Sequence, residues 1–202
     1  MIKRLLAASL IFSSGSVFSA NPTVEELRIK QATTAMPQVL DIFSEDIALF
    51  EQSWKSLRNF KQATDLLHDY STQLWLNAKQ HITVTKSYDD RALYWARLLS
   101  SKIIRTTKPE FALTTAEQST LLTMLENGSR GRTDLAYSKN TTKKILLTGF
   151  DPFLLDSNIN QSNPSGVAAL LLDGQVITYQ GISAEINTVM VPVRYEDFDQ
   201  GI

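Results

Sequence analysis

The stretch that decides the fold is Lys143-Lys144-Ile145-Leu146-Leu147-Thr148-Gly149-Phe150-Asp151-Pro152-Phe153. Two lysines introduce a short continuous apolar run, and a glycine, an aspartate and a proline close it. A run of this kind, bounded by turn residues, is typical of a buried strand that ends at the edge of a sheet. In α/β folds, ligands bind at this edge. We therefore expect a strand end here at which a ligand can bind.

The composition is that of a globular protein with one or two domains, because 43% of the 202 residues are hydrophobic and 20% are charged. The net charge of −1 argues against a nucleic-acid partner, which normally requires a strongly basic face. The sequence contains no cysteine, which excludes disulfides, zinc–thiolate sites and a thiol nucleophile within it. Because His68 and His81 lack zinc-ligand spacing, we predict neither a metal nor a cofactor.

Residues 1–20 have the pattern of a secretory signal peptide. Lys3 and Arg4 precede an apolar stretch over residues 5–12, and small residues follow it. The serines and glycine at positions 13–16 interrupt the apolar stretch, which is shorter than the roughly 20 residues of a spanning helix. We therefore expect a protein exported to the periplasm or secreted, without a stable membrane span.

Residues 21–135 have the periodicity of a helical region. Apolar residues recur at steps of three or four along its longest part, as in Phe43, Ile47, Phe50, Trp54, Leu57, Phe60, Ala63, Leu67, Tyr70 and Leu74. We interpret this stripe as core rather than as a cofactor box. Two capping boxes are predicted at helix starts, in Thr23 with Glu26 and in Thr114 with Glu117.

Acidic pairs in this region are assigned no catalytic role, because acidic residues in the first turn complement the helix dipole. They are Glu25, Glu26, Glu45, Asp46, Asp89 and Asp90. Residues 136–144 are polar and are predicted to form a linker, with a domain boundary near residue 140. The tract 127–132 is also interpreted as solvated linker, and a basic binding patch is the alternative.

Residues 145–202 change in character. Residues 145–148 are a predicted strand, Asn163-Pro164-Ser165 begins a predicted helix, and residues 176–179 and 186–193 are further predicted strands. This order is that of the opening of an α/β sandwich.

Three short motifs occur in order in this region: Thr148-Gly149-Phe150-Asp151-Pro152-Phe153, Asn163-Pro164-Ser165 and Val191-Pro192-Val193-Arg194-Tyr195. Together they resemble the N-terminal portion of pyroglutamyl peptidase I, also called pyrrolidone-carboxyl peptidase. The resemblance covers residues 143–202 and not the helical region. Members of that family remove N-terminal pyroglutamate from peptides, with a cysteine nucleophile, a histidine and a glutamate on an α/β sandwich.

The resemblance implies three substrate-binding residues. Phe150 and Phe153 match the family's aromatic pair, and two aromatic faces can desolvate the flat, uncharged lactam of pyroglutamate. Asn163 matches the asparagine of the family's Asn-Pro step, and an N-cap role in the following helix is the alternative interpretation. The implied partner is a peptide with an N-terminal pyroglutamate.

The chain departs from the family pattern in two places. Leu154-Leu155 stands where the family usually has Gly-Gly, and leucine resists conformations that glycine permits. The family's catalytic glutamate, cysteine and histidine fall beyond residue 202, so we predict no catalytic residue in this chain. We expect a truncated pyroglutamyl-peptidase-like protein that is inactive alone. That family is typically cytosolic, in contrast to the export predicted here.

The predicted fold class is α+β, with an all-α N-terminal region followed by the first strand, helix and strands of an incomplete α/β sandwich of the phosphorylase/hydrolase type. About 60 residues of α/β sequence bury only a partial core, so we expect an uncovered sheet through which the chain can self-associate. The alternative function is that of an exported helical interaction or binding protein with a relic peptidase-like tail.

Overall fold

The structure, a computed structural model, describes residues 22–133 and 135–194. The predicted signal peptide and the last eight residues lie outside these ranges. Within the described ranges, no helix is long and apolar enough to cross a membrane. Export stays a prediction.

The described chain is mostly helical and ends in a small sheet. Its elements in order are α1 (Val24–Ala35), α2 (Pro37–Leu40), a 3₁₀ turn (Asp41–Phe43), α3 (Ser44–Lys55), α4 (Phe60–Thr85), α5 (Arg91–Thr106), α6 (Thr115–Ser129), β1 (Lys143–Phe150), α7 (Pro164–Leu172), β2 (Val176–Tyr179) and β3 (Ile182–Val191).

The helix starts follow the capping signals of the sequence. Both predicted capping boxes are confirmed, at Thr23 with Glu26 and at Thr114 with Glu117. The longest apolar stripe is divided between two helices, because α3 ends at Lys55 and α4 begins after Asn59. The Asn59 side chain accepts a hydrogen bond from Gln62 N at 2.9 Å and so starts the second helix.

The sheet has three strands in the order β1-β3-β2, with β1 parallel and β2 antiparallel to β3. The parallel register runs from Lys143 opposite Ala184 to Phe150 opposite Val191. The α+β class is confirmed. The predicted phosphorylase/hydrolase-like sandwich is not found in the described residues, which form one small mixed sheet beside a larger helical body.

Strand β1 is an edge strand, and the prediction of a buried strand is wrong for much of its length. It pairs with β3 on one side, and the Leu146 side chain is 55% exposed. One face is covered by α7, which approaches so closely that a Cβ on Gly149 would lie 2.5 Å from the Ser165 carbonyl oxygen. Gly149 therefore allows α7 to pack directly on the strand. Self-association through the open edge stays a prediction.

Two groups of buried apolar side chains form the core. The first joins α1, α4 and α5 to α7 and β3, and includes Ile29, Trp75, Trp95, Leu170 and Met190. The second lies among α3, α4, α5 and α6, and includes Phe50, Trp54, Leu67, Ile104 and Leu121. Because the first group contains residues from both parts of the chain, the helical region covers the sheet.

A buried carboxyl group also joins the two parts. Asp90, at the start of α5, accepts a hydrogen bond through Oδ1 from Asn163 N, just before α7, at 3.0 Å. Its Oδ2 atom has no hydrogen-bond partner among the described residues. Burial, followed by the charges of Asp151 and Asp89, raises the pKa of Asp90 to about 7.

We expect the substitution Asp90→Asn to stabilise the protein at alkaline pH. The carboxyl pKa is ~3.9 in an unfolded chain and about 7 in the folded one. The stability that this group contributes is therefore fully present below about pH 4 and is lost as the pH rises through about 7. Asparagine keeps an oxygen for Asn163 N–H and removes the charge.

The measurement is the free energy of unfolding in urea, for both proteins, at about pH 4, 6 and 8. The advantage of Asp90→Asn should grow with pH to at most about 4 kcal/mol. A difference between the two proteins that does not change with pH contradicts the prediction.

Candidate ligand-binding site

A cavity of ≈ 290 Å³ opens at the carboxyl ends of β1 and β3. Its walls come from the loops after these strands and from α1, α5 and α6. The charged residues that line it are Glu25, Arg28, Arg97, Glu126, Arg130, Asp151, Asp156 and Arg194. The cavity lies at the edge of the sheet where the sequence predicts ligand binding.

Asp151 is the buried acid of this cavity. It directly follows β1, and its main chain is fixed on both sides: its N–H donates to the Val191 carbonyl at 3.2 Å, and its carbonyl accepts from Asn163 Nδ2 at 3.0 Å. The residue is only 3% exposed. A buried carboxylate needs cationic partners, and two arginines supply them.

Arg97 from α5 is the first partner. Its Nη1 donates to both carboxylate oxygens of Asp151 at 3.0 Å, and its Nε donates to Ser129 Oγ at 3.0 Å. The guanidinium thus joins α5 to the end of β1 and to the end of α6.

Arg130 is the second partner. Its Nη1 lies 2.6 Å from Asp151 Oδ2, and its Nε donates to Glu126 Oε2 at 2.6 Å. Its main-chain carbonyl accepts a hydrogen bond from Met190 N at 2.9 Å. The residue that follows α6 is therefore held on β3 by its backbone and on Asp151 by its side chain.

Asp151 and Arg130 remain ionised at neutral pH. Burial alone would raise the pKa of Asp151, but the charges and hydrogen bonds of Arg130 and Arg97 lower it below its ordinary value. Burial opposes the charge of Arg130, yet the charges of Asp151 and Glu126 raise its pKa. The floor of the cavity is consequently a fixed arrangement of charges.

The mouth of the cavity has a different ion pair. Arg28 of α1 donates from Nε and Nη2 to the two carboxylate oxygens of Asp156 at 2.8 and 2.6 Å. The Asp156 side chain is largely exposed, and the hydrogen bond from Arg28 lowers its pKa. Exposed pairs of this kind contribute little to stability, so this one can open.

Uncharged groups complete the walls. Burial raises the pKa of Tyr94 to about 12, so its phenol is neutral at physiological pH and can donate a hydrogen bond.

Leu154, at the rim, has a φ of 57°, which is in the left-handed region and costs a leucine roughly 1–2 kcal/mol. Such strain concentrates at ligand sites. The strained residue, Leu154, is also the first of the two leucines that stand where the pyroglutamyl peptidase family usually has Gly-Gly.

The structure separates the three residues predicted to bind substrate. Phe153 is 40% exposed and lines the cavity. Phe150 and Asn163 are not among its lining residues. Asn163 caps α7, since its Oδ1 accepts from Ser165 N at 3.1 Å, and this N-cap role was the alternative interpretation.

The two buried arginines are not among the residues predicted from the sequence to form a site. Arg97 lies in the amphipathic helix α5, and its place between the apolar residues Ala96 and Leu98 was the local signal that its side chain is buried. Arg130 lies in the tract interpreted as solvated linker, and this interpretation is wrong because Arg130 is buried. Its hydrogen bond to β3 is a long-range contact that a local pattern does not reveal.

Comparison with known proteins identifies one family in both parts of the chain. The model of the PA0049 N-terminal domain matches residues 12–126, and that of the PA0049 C-terminal domain matches residues 144–202. "Uncharacterized protein PA0049" of Pseudomonas aeruginosa is 32% identical over 127 residues, which are 56% of this chain and 23% of that protein. The matched stretch is thus about a quarter of the relative's length. No solved structure matches the chain.

These matches overturn the resemblance to pyroglutamyl peptidase I. The stretch that carries the peptidase-like motifs matches the PA0049 C-terminal domain instead. The predicted peptidase function and hydrolase class are therefore wrong, and the pyroglutamyl-peptide partner rests on the same resemblance. The motif residues have structural roles: Gly149 admits α7, Asp151 binds two arginines and Asn163 caps a helix.

We expect Asp151→Asn to destabilise the fold by about 3–5 kcal/mol, because it leaves two buried guanidiniums without their shared anion. Denaturant unfolding followed by circular dichroism measures the change. Asp156→Asn is the matched control, because it removes a carboxylate from an exposed arginine pair, and its effect should be much smaller. Equal effects of the two substitutions would contradict the prediction.

Proposed function

We propose that this chain, which belongs to the PA0049 family, binds a small carboxylate in the cavity at the carboxyl ends of β1 and β3. Membership of the family rests on the match to residues 12–126, which is more than half of the chain. The observation that supports the binding function is the set of arginines around a cavity of ≈ 290 Å³, which are Arg28, Arg97, Arg130 and Arg194. Arginine is the side chain best suited to recognise carboxylates in two-point contacts.

The buried arginines give the cavity a fixed, charge-balanced floor, in which Asp151 and Glu126 are their partners. Arg97 and Arg130 are committed to Asp151, and removing either from it would leave a charge buried without a partner. These side chains therefore keep their positions whether or not a ligand is present. Their role in this proposal is to hold the cavity open.

Arg28 is the residue that contacts the ligand in this proposal. It already presents two N–H donors to a carboxylate, that of Asp156, in a bidentate pair at the cavity mouth. A ligand carboxylate can take the place of Asp156, whose side chain then turns to water. The exchange costs little, because the Asp156 carboxylate is 75% exposed and its ion pair with Arg28 contributes little to stability.

The remaining walls restrict the ligand further. The neutral phenol of Tyr94 can donate a hydrogen bond, and Phe153 and Leu155 provide apolar surface. The carboxylates of Glu25 and Asp156 disfavour a second negative charge at the mouth. We therefore propose a monocarboxylate with a compact apolar body.

Phenylacetate is a suitable probe, with phenylacetamide as its uncharged counterpart. We expect phenylacetate to bind more tightly than the amide in calorimetric titrations. Arg28→Gln should weaken phenylacetate binding by roughly tenfold, because a hydrogen-bonded charge pair is lost, and should leave amide binding unchanged.

Arg58→Gln is the control, since Arg58 is an exposed arginine paired with Glu110 outside the cavity. This variant should bind both probes as the parent protein does. Equal affinity of the parent protein for the acid and the amide would overturn the proposed function, as would unchanged binding in Arg28→Gln.

A further inference from the structure

We infer that the groove between α3 and α4 is a second binding site, which takes a molecule that joins an apolar body to a protonated amine. The groove is distant in sequence from the sheet and shares no lining residue with the cavity described above. The inference is independent of the proposed function, because the two sites share no residue and the ligands proposed for them have opposite charges.

The groove has the size and lining of a small-molecule site. Its volume is ≈ 340 Å³, within the range of about 300–1,000 Å³ that is typical of ligand pockets. Its apolar lining includes Leu49 of α3 and Leu66, Tyr70 and Leu74 of α4. Leu49 is 63% exposed, so a large apolar side chain faces solvent at the rim. An apolar ligand body would cover it.

An aromatic pair makes the floor rigid. The rings of Phe50 and Tyr70 stack with their centroids 4.2 Å apart and an angle of 16° between their planes. The hydroxyl of Tyr70 is hydrogen-bonded to Ser100 Oγ at 2.6 Å, which fixes the orientation of the ring. Phe50 is only 2% exposed, so the partly exposed Tyr70 ring is the aromatic surface that an organic cation can reach, and ring faces attract cations because they are negative.

The charged groups of the groove are all negative. Asp46 of α3 and Asp69 of α4 line it, and no lysine or arginine is among its described lining residues. Asp46 Oδ2 accepts a hydrogen bond from Asn77 Nδ2 at 3.1 Å. Neither carboxylate forms an ion pair with another described residue.

The combination determines the chemistry of the occupant. An apolar floor favours a hydrophobic ligand body, and two carboxylates without cationic partners favour a positive charge above it. A protonated amine meets both requirements, because it donates up to three hydrogen bonds to carboxylate oxygens. A groove volume of ≈ 340 Å³ suits a small molecule rather than a peptide helix.

The test is a titration with 2-phenylethylamine, followed by amide ¹H–¹⁵N chemical shifts of the whole chain. 2-Phenylethanol is the uncharged counterpart. The amine should shift resonances of α3 and α4 and should bind at least about fivefold more tightly than the alcohol. Shifts confined to residues of the other cavity, or equal affinity for amine and alcohol, would overturn the inference.

Two variants test whether the Asp69 carboxylate binds the ammonium group of the amine. Asp69→Asn, at an exposed position, should weaken amine binding by about fivefold and leave alcohol binding unchanged. Asp65→Asn is the matched control, because Asp65 is on the same helix, lies outside the groove and pairs with Lys61 at 2.7 Å. It should bind the amine as the parent protein does.

Leu49→Ala tests the apolar rim and should weaken amine and alcohol binding alike. Unchanged binding of the amine in both Asp69→Asn and Leu49→Ala would overturn the inference. Binding of a lysine-rich amphipathic peptide in the groove, without binding of the amine, would do the same, since it would assign the surface to a protein partner.

Discussion

The ion cluster of Asp151 with Arg97 and Arg130 is the interaction on which the arrangement of this protein depends. The acid follows β1, one arginine comes from α5, and the other follows α6 and is hydrogen-bonded to β3 through its backbone. Three parts of the chain that are distant in sequence thus meet at one carboxylate. Buried ion pairs often add little net stability over apolar packing. Their removal is nevertheless costly, because any remaining charge is desolvated. We interpret the cluster as the constraint that holds the helical body in one orientation on the sheet.

The same constraint produces the cavity. Since the arginine side chains are drawn toward Asp151, the space above the strand ends stays open and is bordered by fixed charges. The ion pair between Arg28 and Asp156 at the mouth is exposed and can exchange partners. A buried, permanent ion cluster therefore lies beneath an exposed, replaceable one. The proposed carboxylate site depends on this difference between a fixed buried cluster and an exchangeable ion pair. The groove between α3 and α4 is instead lined by two carboxylates, and the ligand proposed for it is a cation.

The misleading resemblance to pyroglutamyl peptidase I has a structural explanation. The strand that ends in Gly-Phe and is followed by Asp, and the helix that is capped by Asn before Pro-Ser, are arranged in this way by packing and hydrogen bonding. Gly149 allows close contact with α7, and Asn163 caps that helix while it bonds to the Asp151 carbonyl. The Asp90 carboxyl bonds to the Asn163 N–H from the helical body. Residues needed for such contacts can therefore match the motifs of a peptidase family in a protein that does not share the reaction of that family. The family matches across both parts of the chain are the longer and more specific signal.

Local sequence patterns by themselves determined the helices, their capping boxes, the approximate strand positions and the α+β class, because these depend on side-chain periodicity and on hydrogen bonds between near neighbours. Phe153, which they predicted at a site, lines the cavity at the edge of the sheet, and its binding role stays a prediction. Only the tertiary structure decided that β1 is an edge strand, that Arg130 is buried and that the Asn163 side chain bonds to the Asp151 carbonyl. Those properties depend on which distant segments meet. Arg97 and Asp151 are 54 residues apart, and no periodicity in either segment specifies that their charges pair.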